Sequence, residues 1–476
     1  MSAIIIAETC PPPECNLSPR DVEGFVEELE TYHARFETTF HRPEQFKWSG
    51  IYLNGLLGDT SRKSVEPIAL RAGVNVRDLQ YFIGQSCWPT EPVLYAHQQM
   101  IDETLGEEDA VAIIDESSVV KQGEESVGVA PQYCGSVGKV ANGQVGVYLG
   151  YASRLGYTLA DGCLYLPESW LDAEHAEKRK KCGVPKDLTF KTKPQIALEL
   201  LEDAKQRGFL RFRWVLADAV YGDTPQFLDG VANLGKWYFA HVSCSTRVWR
   251  RRPSVVTPQW FGQGRRPKRK RLRTPSHQPV EVDKVARRLP KKVWSRYTIK
   301  EGSKGPIICD FAFVRVTAVR EGLPGDQVWL VIRRNVEDPS EIKFYLSNAP
   351  EDLGREEMVR ISGMRWPIEI VFTEDKSEIG LDQYETRSWL GWHHHVTLSF
   401  LAHHFLVRVR VRLKGCAPAL TIEQVRLLLT SVLPKPVFDA KAALRMVIYY
   451  QKRNHAAHVS HRKTKLRKLR LLGVLG

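Results

Sequence analysis

Three acidic residues stand where they could share one chemistry. Asp115 directly follows the apolar run 110–114, Asp218 follows the apolar run 212–217, and Glu369 lies near the start of a predicted helix. Burying a lone carboxylate is costly unless it is paired or binds a cation. Three carboxylates at one sheet edge can hold two Mg²⁺ ions about 4 Å apart, with Mn²⁺ as a substitute. Such a site would activate a water or a hydroxyl and break phosphodiester bonds.

A sheet must bring these acids together. Both apolar runs predict central strands, because strands covered on both faces are continuously apolar. The further predicted elements are strands at 145–152, 162–166 and 238–242 and helices at 193–207 and 225–234. Strands first, then alternating helices and strands, favour an α/β sheet. A strand-end Asp, a second strand-end Asp and a helical Glu form the layout of an RNase H-like nuclease core, a mixed sheet with flanking helices.

The helix that carries Glu369 has more than one functional side chain. Pro367 suits its first turn, and Glu369 and Lys376 fall on one face. Arg365 precedes the helix and could reach the same site. The alternative is an ordinary amphipathic helix with a solvated charged edge.

The chain divides by composition into five segments. Residues 1–105 are predicted to form an all-helical N-terminal DNA-binding domain. Residues 106–242 and 349–415 form the two parts of the core, and a β-rich insertion with a basic loop, 243–348, interrupts it. Residues 416–476 form a helical, basic C-terminal tail.

Residues 62–84 have the spacing of a helix-turn-helix, with a turn at Gly73. An ordinary helical hairpin has the same pattern. The candidate DNA contacts are the basic residues in and beside it: Arg62, Lys63, Arg71 and Arg77.

Charge also favours a polyanionic partner. The chain has 68 basic and 55 acidic residues, a net charge of +13, which is typical of nucleic-acid binding. The insertion has a basic run whose side chains either contact phosphates or form a solvated loop; its candidate contacts are Arg265, Arg266, Lys268, Arg269, Lys270 and Arg271. The nine cysteines are an odd number, scattered and without a Cys-x-x-Cys pair, which favours a reducing cytoplasm. No apolar run is long enough to span a membrane.

A family resemblance adds to these observations. Arg365, Glu369 and Lys376 have the spacing of the last three residues of the Tyr-x2-Arg-x3-Glu-x6-Lys motif, and Ser362 stands at the Tyr position. The spacing resembles that of bacterial DDE transposases of the insertion-sequence 4 superfamily. Four further stretches are similar to regions of the insertion-sequence 701 family around the first Asp, the second Asp and the Glu: 115–129, 132–144, 217–222 and 380–387.

The resemblance implies a DNA transposase. Such an enzyme would bind the inverted repeats at transposon ends as a homodimer, cut with a divalent metal and join 3′-hydroxyls to target DNA. Asp115, Asp218 and Glu369 would be the metal ligands, and Arg365 and Lys376 would contact phosphates near the cut. A bacterial, nucleoid-associated protein is expected. Two alternatives stay open: an inactive, transposase-derived regulator and a nuclease without strand transfer.

Overall fold

Helices form the chain from residue 19 to residue 105. The computed structural model describes residues 14–260, 265, 268–302, 305–434, 438–472 and 474. The helices of this first segment are α1 (Pro19–Glu23), α2 (Phe25–Ala34), α3 (Pro43–Leu57), α4 (Val65–Ala72), α5 (Val76–Gly84) and α6 (Thr90–Leu105). Their apolar faces pack on the later helices and on one face of the sheet.

Helices α4 and α5 are joined by a tight turn. Gly73 has a φ of +69°, in the left-handed region that glycine adopts most readily. The Asn75 side chain caps α5 by accepting a hydrogen bond from the Arg77 backbone N–H at 2.9 Å. Ile68 and Leu79 are buried and anchor the pair to the core. The two helices and the turn have the predicted spacing, and DNA contact by this pair stays a prediction.

The central strands bring distant parts of the chain together. They are β1 (Val111–Val120), β2 (Ala130–Cys134), β3 (Lys139–Ala152), β4 (Tyr157–Tyr165), β5 (Trp214–Ala217) and β6 (Trp237–Val242). Strand β1 pairs antiparallel with β3 and parallel with β5, β5 pairs parallel with β6, and β3 also pairs antiparallel with β2 and β4.

One expectation about β1 is wrong. Asp115 was expected where the strand ends, but β1 continues to Val120, because residues 115–120 keep their pairing with β3; Asp115 itself lies opposite Tyr148. The apolar run ends at residue 114 although the strand does not. Asp115 therefore projects from the middle of a strand.

Helices cover both faces of these strands. They are α7 (Ala176–Cys182), α8 (Lys193–Arg207), α9 (Ala219–Gly222) and α10 (Pro225–Asn233). Neighbouring residues of β1 belong to different buried clusters, Ile113 to one and Ile114 to the other, as expected from side chains that alternate between the two faces.

All but two of the strands after β6 extend the same sheet. The elements from here to residue 347 are β7 (Arg247–Trp249), β8 (Val255–Val256), β9 (Arg271–Leu272), β10 (Val280–Glu281), α11 (Val282–Arg287), β11 (Ser295–Gly302), β12 (Gly305–Arg320), β13 (Leu323–Asn335) and β14 (Ile342–Ser347). Strand β14 pairs antiparallel with β6, so twelve strands of the described chain form one mixed sheet. The β-rich segment is thus continuous with the central strands.

The last part of the chain is helical. It has α12 (Arg355–Ser362), α13 (Trp366–Glu374), a single π-helical turn (Asp375–Ile379), α14 (Trp389–Leu413), α15 (Ile422–Val432) and α16 (Ala440–Leu471). Helix α14 is buried along most of its length, whereas α16 has no buried residue. Helix α13 packs on the β1 face that carries Ile113 and Asp115, through the buried side chains of Ile368 and Phe372.

Candidate active site

The pairing of β1 with β5 places two of the predicted acids side by side. Ile114 lies opposite Ala217 in this parallel pair, so the next residues, Asp115 and Asp218, follow at the same edge. The charge of Asp218 is one of the influences that raise the pKa of Asp115. The two aspartates therefore face one another although 103 positions separate them in the chain.

Backbone packing fixes the position of Asp218. Its carboxylate caps α9 by accepting a hydrogen bond from the Val220 N–H at 3.0 Å. Helix α9 lies so close to β6 that a Cβ on Gly222 would come within 1.9 Å of the His241 carbonyl oxygen. Only glycine fits at this contact, so Gly222 sets the distance between α9 and the sheet.

Arg365 connects Glu369 to Asp115 through its guanidinium. Its Nη2 donates to Asp115 Oδ2 at 2.6 Å, and its Nη1 donates to Glu369 Oε1 at 3.2 Å. Its Nε is buried and has no hydrogen-bond partner among the described residues. One guanidinium thus bridges two of the three acids.

A cavity of about 420 Å³ brings the predicted catalytic groups together. Asp115, Asp218, Glu369 and Lys376 all line it. The Lys376 ammonium has no hydrogen-bond or ion-pair partner in the described part of the chain, and burial lowers its pKa. This arrangement places one cation and three carboxylates around a space large enough for a phosphodiester.

Burial of Asp115 favours the binding of a cation at this acid. Asp115 is 8% exposed, and burial raises its pKa to about 6, against the opposing effect of Arg365. A divalent ion would relieve this cost by favouring the ionised carboxylate. Hard carboxylate oxygens are the ligands that Mg²⁺ and Mn²⁺ prefer, so the donor set fits such a metal.

The side chains are arranged for Arg365 and not for a metal. Within the described residues, no group of three or more His, Cys, Asp or Glu side chains is close enough to hold a metal ion. The Arg365 guanidinium lies between Asp115 and Glu369. Metal binding by these residues therefore requires that Arg365 leave this position.

The π-helical turn after α13 contains an unusual acid. Asp375 is fully buried, and neither of its carboxylate oxygens has a hydrogen-bond partner in the described part of the chain. The neighbouring Glu374 accepts a hydrogen bond from His403 Nε2 at 3.2 Å. Burial raises the pKa of Asp375 from 3.8 to about 7. The same turn contains Lys376.

Asp375→Asn is expected to stabilise the protein above pH 7. Between pH values of about 4 and 7 the unfolded chain ionises this carboxyl and the folded protein does not, so stability falls as pH rises through this window. Because Asn does not titrate, the variant does not lose stability in this pH range. Urea unfolding at pH 5 and pH 8 should show a larger advantage of the variant at pH 8. An advantage that is equal at both pH values would contradict the raised pKa of Asp375.

The candidate DNA contacts near α4 and α5 are not equivalent. Lys63 is 4% exposed, and its ammonium donates to the backbone carbonyls of Leu56 and Gly58. It is therefore a buried structural residue, and its assignment as a DNA contact is wrong. Arg62 forms an exposed ion pair with Glu385 at 2.7 Å; Arg71 lies 3.4 Å from Asp59.

The other candidate contacts lie on exposed positions. Arg77 is exposed in the first turn of α5. In the basic run, the exposed residues are Arg265, Lys268, Arg269, Lys270 and Arg271, whereas Arg266 lies outside the described residues. These side chains are available to phosphates and stay predictions.

The histidine triplet in α14 has a structural role. His394 stacks on Trp88 with ring centroids 3.8 Å apart, and His395 Nδ1 lies 2.8 Å from the Tyr52 hydroxyl. The rings point in different directions and connect α14 to the N-terminal helices.

The polar residues Ser117, Ser118, Tyr133 and Ser136 line the cavity and were given no role from the sequence. Tyr133 and Ser136 border it from the β2–β3 hairpin. In the sequence, only the resemblance of residues 132–144 to a family region could have pointed to Tyr133 and Ser136. Glu116, next to Asp115, also lines the cavity, and its carboxylate is 2.8 Å from the Lys193 ammonium.

The chain also has a family match. The model of the DDE superfamily endonucleases matches residues 35–306, more than half of the 476 residues. The chain belongs to this family, which implies a metal-dependent nuclease that acts on DNA. The match includes Asp115 and Asp218 and ends before Glu369. No curated protein matches the chain, and in the described residues no helix has the length and apolarity needed to cross a bilayer.

Proposed function

We propose that this endonuclease is a DNA transposase of the insertion-sequence 701 type, within the insertion-sequence 4 superfamily. It binds inverted repeats at transposon ends, cuts there, and joins 3′-hydroxyls to target DNA. The observation that carries the proposal is the cavity that Asp115, Asp218, Glu369 and Lys376 line together, because a family of DNA-cutting enzymes needs such a carboxylate site.

The strand order supports an RNase H-like core. The strands run in the order β4-β3-β1-β5-β6, with β4, β3 and β1 antiparallel and β1, β5 and β6 parallel. Asp115 projects from the central strand β1, Asp218 follows its parallel neighbour, and Glu369 comes from a helix packed on the same face. This is the layout expected of that core.

Asp115, Asp218 and Glu369 are proposed to hold Mg²⁺, or Mn²⁺ in its place. When bound, the metal would activate the attacking oxygen and stabilise the leaving oxygen of a phosphodiester. The protein's part is to concentrate three carboxylates in a partly buried cavity, with Asp218 fixed by its capping hydrogen bond. The same arrangement keeps Lys376 at the cavity wall to contact a phosphate.

Arg365 is proposed to contact a phosphate beside the cut. Its guanidinium lies between Asp115 and Glu369, and arginine binds phosphate oxygens through paired N–H groups. A phosphate in the cavity would compete with Asp115 and Glu369 for this side chain.

The DNA surface is proposed to include α4, α5 and the basic run of the insertion, with a homodimer as the active form and the bacterial nucleoid as its location. Phosphate contacts release counterions, so each one makes binding more sensitive to salt. The exposed arginines and lysines of the basic run suit this role.

Replacing Lys268, Arg269, Lys270 and Arg271 by Gln is expected to weaken duplex binding and to lower the salt dependence. Each lost phosphate contact reduces the slope of log K against log salt by about 0.9. Binding titrations between low and moderate salt give this slope. A slope equal to that of the wild-type protein would remove the basic run from the DNA surface.

A nuclease without strand transfer is the second candidate, since the family match itself names an endonuclease. An inactive regulator is a third possibility, against which the presence of all three acids argues. The three differ in their products: joined ends, cut ends, or bound and intact DNA.

The test uses the purified protein, Mg²⁺, a supercoiled plasmid, and labelled DNA that carries the natural flanking ends. We expect labelled ends covalently joined to the plasmid, and none with Glu369→Gln. Cut ends without joining, in Mg²⁺ and in Mn²⁺, would show the nuclease and refute the transposase.

A further inference from the structure

The C-terminal helix α16 begins on the helix pair α4–α5. Its residues Ala442, Met446 and Tyr449 are half-buried and share one helical face. With the turn from Gly73 to Arg77 they line a groove of about 730 Å³. Arg453, one turn further on, forms an ion pair with the nearly buried Glu66 of α4. The first half of α16 is therefore attached directly to the predicted DNA-reading helices.

The second half of α16 leaves this attachment. Beyond Arg453, no residue of α16 forms a hydrogen bond or ion pair with another element of the described chain. This arm, residues 454–471, has eighteen residues, so it is about 27 Å long at 1.5 Å per residue. It is a helix held at one end only.

The arm has cations and no acids. Six exposed basic side chains lie on it, and the chain contains no Asp or Glu after Asp439. They are Arg462, Lys463, Lys465, Arg467, Lys468 and Arg470. Like charges three or four positions apart destabilise a helix, and many such pairs occur here. A row of phosphates would remove this repulsion, and about eight base pairs of duplex match the length of the arm.

We propose that the arm of α16 is a second DNA-binding element, which lies along the phosphate backbone of the duplex that α4 and α5 engage. This inference rests on the proposed function, because it takes DNA as the partner. Two observations favour DNA: the arm is anchored on the helix-turn-helix pair, and the family acts on DNA. The C-terminal segment is then a positioned clamp instead of a loose tail.

The test compares two full-length variants. The first replaces Lys463, Lys465, Arg467 and Lys468 by Gln, which removes charge and preserves helix propensity. The second exchanges Lys and Arg at these positions and keeps the charge. For the Gln variant we expect about tenfold or greater loss of duplex affinity and a salt slope smaller by about three to four. The exchange variant should match the wild-type protein.

Three results would overturn the proposal. The first is a Gln variant whose duplex binding has the salt dependence of the wild-type protein, and the second is an equal loss of duplex affinity in the charge-preserving variant. The third is a Gln variant that binds anionic lipid vesicles more weakly than the wild-type protein but binds DNA equally well. Circular dichroism of both variants checks that the helix is retained. If the wild-type protein cuts DNA and the Gln variant keeps its slope, this inference fails and the proposed function stands. If the wild-type protein binds no DNA, both fail.

Discussion

Glu369→Gln, Asp115→Asn and Asp218→Asn are each expected to abolish DNA cleavage and to leave DNA binding nearly unchanged. Each substitution removes one charge from the cavity that the three carboxylates share. A divalent metal contributes several kcal/mol to phosphodiester cleavage, and about 1.4 kcal/mol is a factor of ten in rate. We therefore expect a loss of roughly 10³-fold or more, measured by the initial rate of strand cleavage on labelled ends.

Glu103→Gln is the matched control. Glu103 pairs with Arg35 at 2.8 Å and is not among the residues that line the cavity. It should retain cleavage within a few-fold of the wild-type rate. Binding should be spared in all four variants, because affinity comes mainly from phosphate contacts outside the cavity. Normal cleavage by any one of the three cavity variants would exclude that acid from the site.

Arg365→Gln is expected to have two opposite effects. Cleavage should fall by roughly 10²-fold, since the phosphate loses a charged, forked donor. In the absence of DNA, the Arg365→Gln variant should bind Mn²⁺ more tightly than the wild-type protein does. The guanidinium holds Asp115 at 2.6 Å and Glu369 at 3.2 Å, and its removal frees both carboxylates and ends its repulsion of a second cation.

Calorimetric titration with Mn²⁺ measures the second effect without any reaction. Arg360→Gln serves as the control, because Arg360 pairs with Glu357 and Asp109 and is not part of the cavity. Its Mn²⁺ affinity should equal that of the wild-type protein. Equal or weaker Mn²⁺ binding by Arg365→Gln would show that Arg365 does not compete with a metal for Asp115 and Glu369.

Periodicity and apolar runs predicted much of what positions the site. The helix at 193–207 coincides with α8, and the runs before Asp115 and Asp218 overlap with β1 and β5. These patterns depend only on residues close together in the sequence, so they can be read from one sequence. The four-residue spacing of Arg365 and Glu369 is also local, because it corresponds to one helical turn, whereas Lys376 lies in the π-helical turn after α13.

Properties that depend on contacts between distant residues were not predictable. The apolar run ends at residue 114, so the sequence did not show that β1 continues to Val120. Residues 115–120 belong to the strand because they pair with β3. Lys63 looked like a surface cation, yet two backbone carbonyls bind it inside the protein. The ion pair of Arg365 with Asp115 joins residues 250 positions apart, and no sequence pattern encodes it.

Iron-directed cleavage of the polypeptide tests the metal site most directly. Fe²⁺ replaces Mg²⁺ at carboxylate sites, and with ascorbate and peroxide it cuts the backbone near its ligands. With DNA ends bound, we predict cuts close to Asp115, Asp218 and Glu369, which Mg²⁺ suppresses by competition. Glu369→Gln should lose all three groups of cuts together. Cuts confined to other regions, such as His393–His395, would contradict a metal site formed by these three acids.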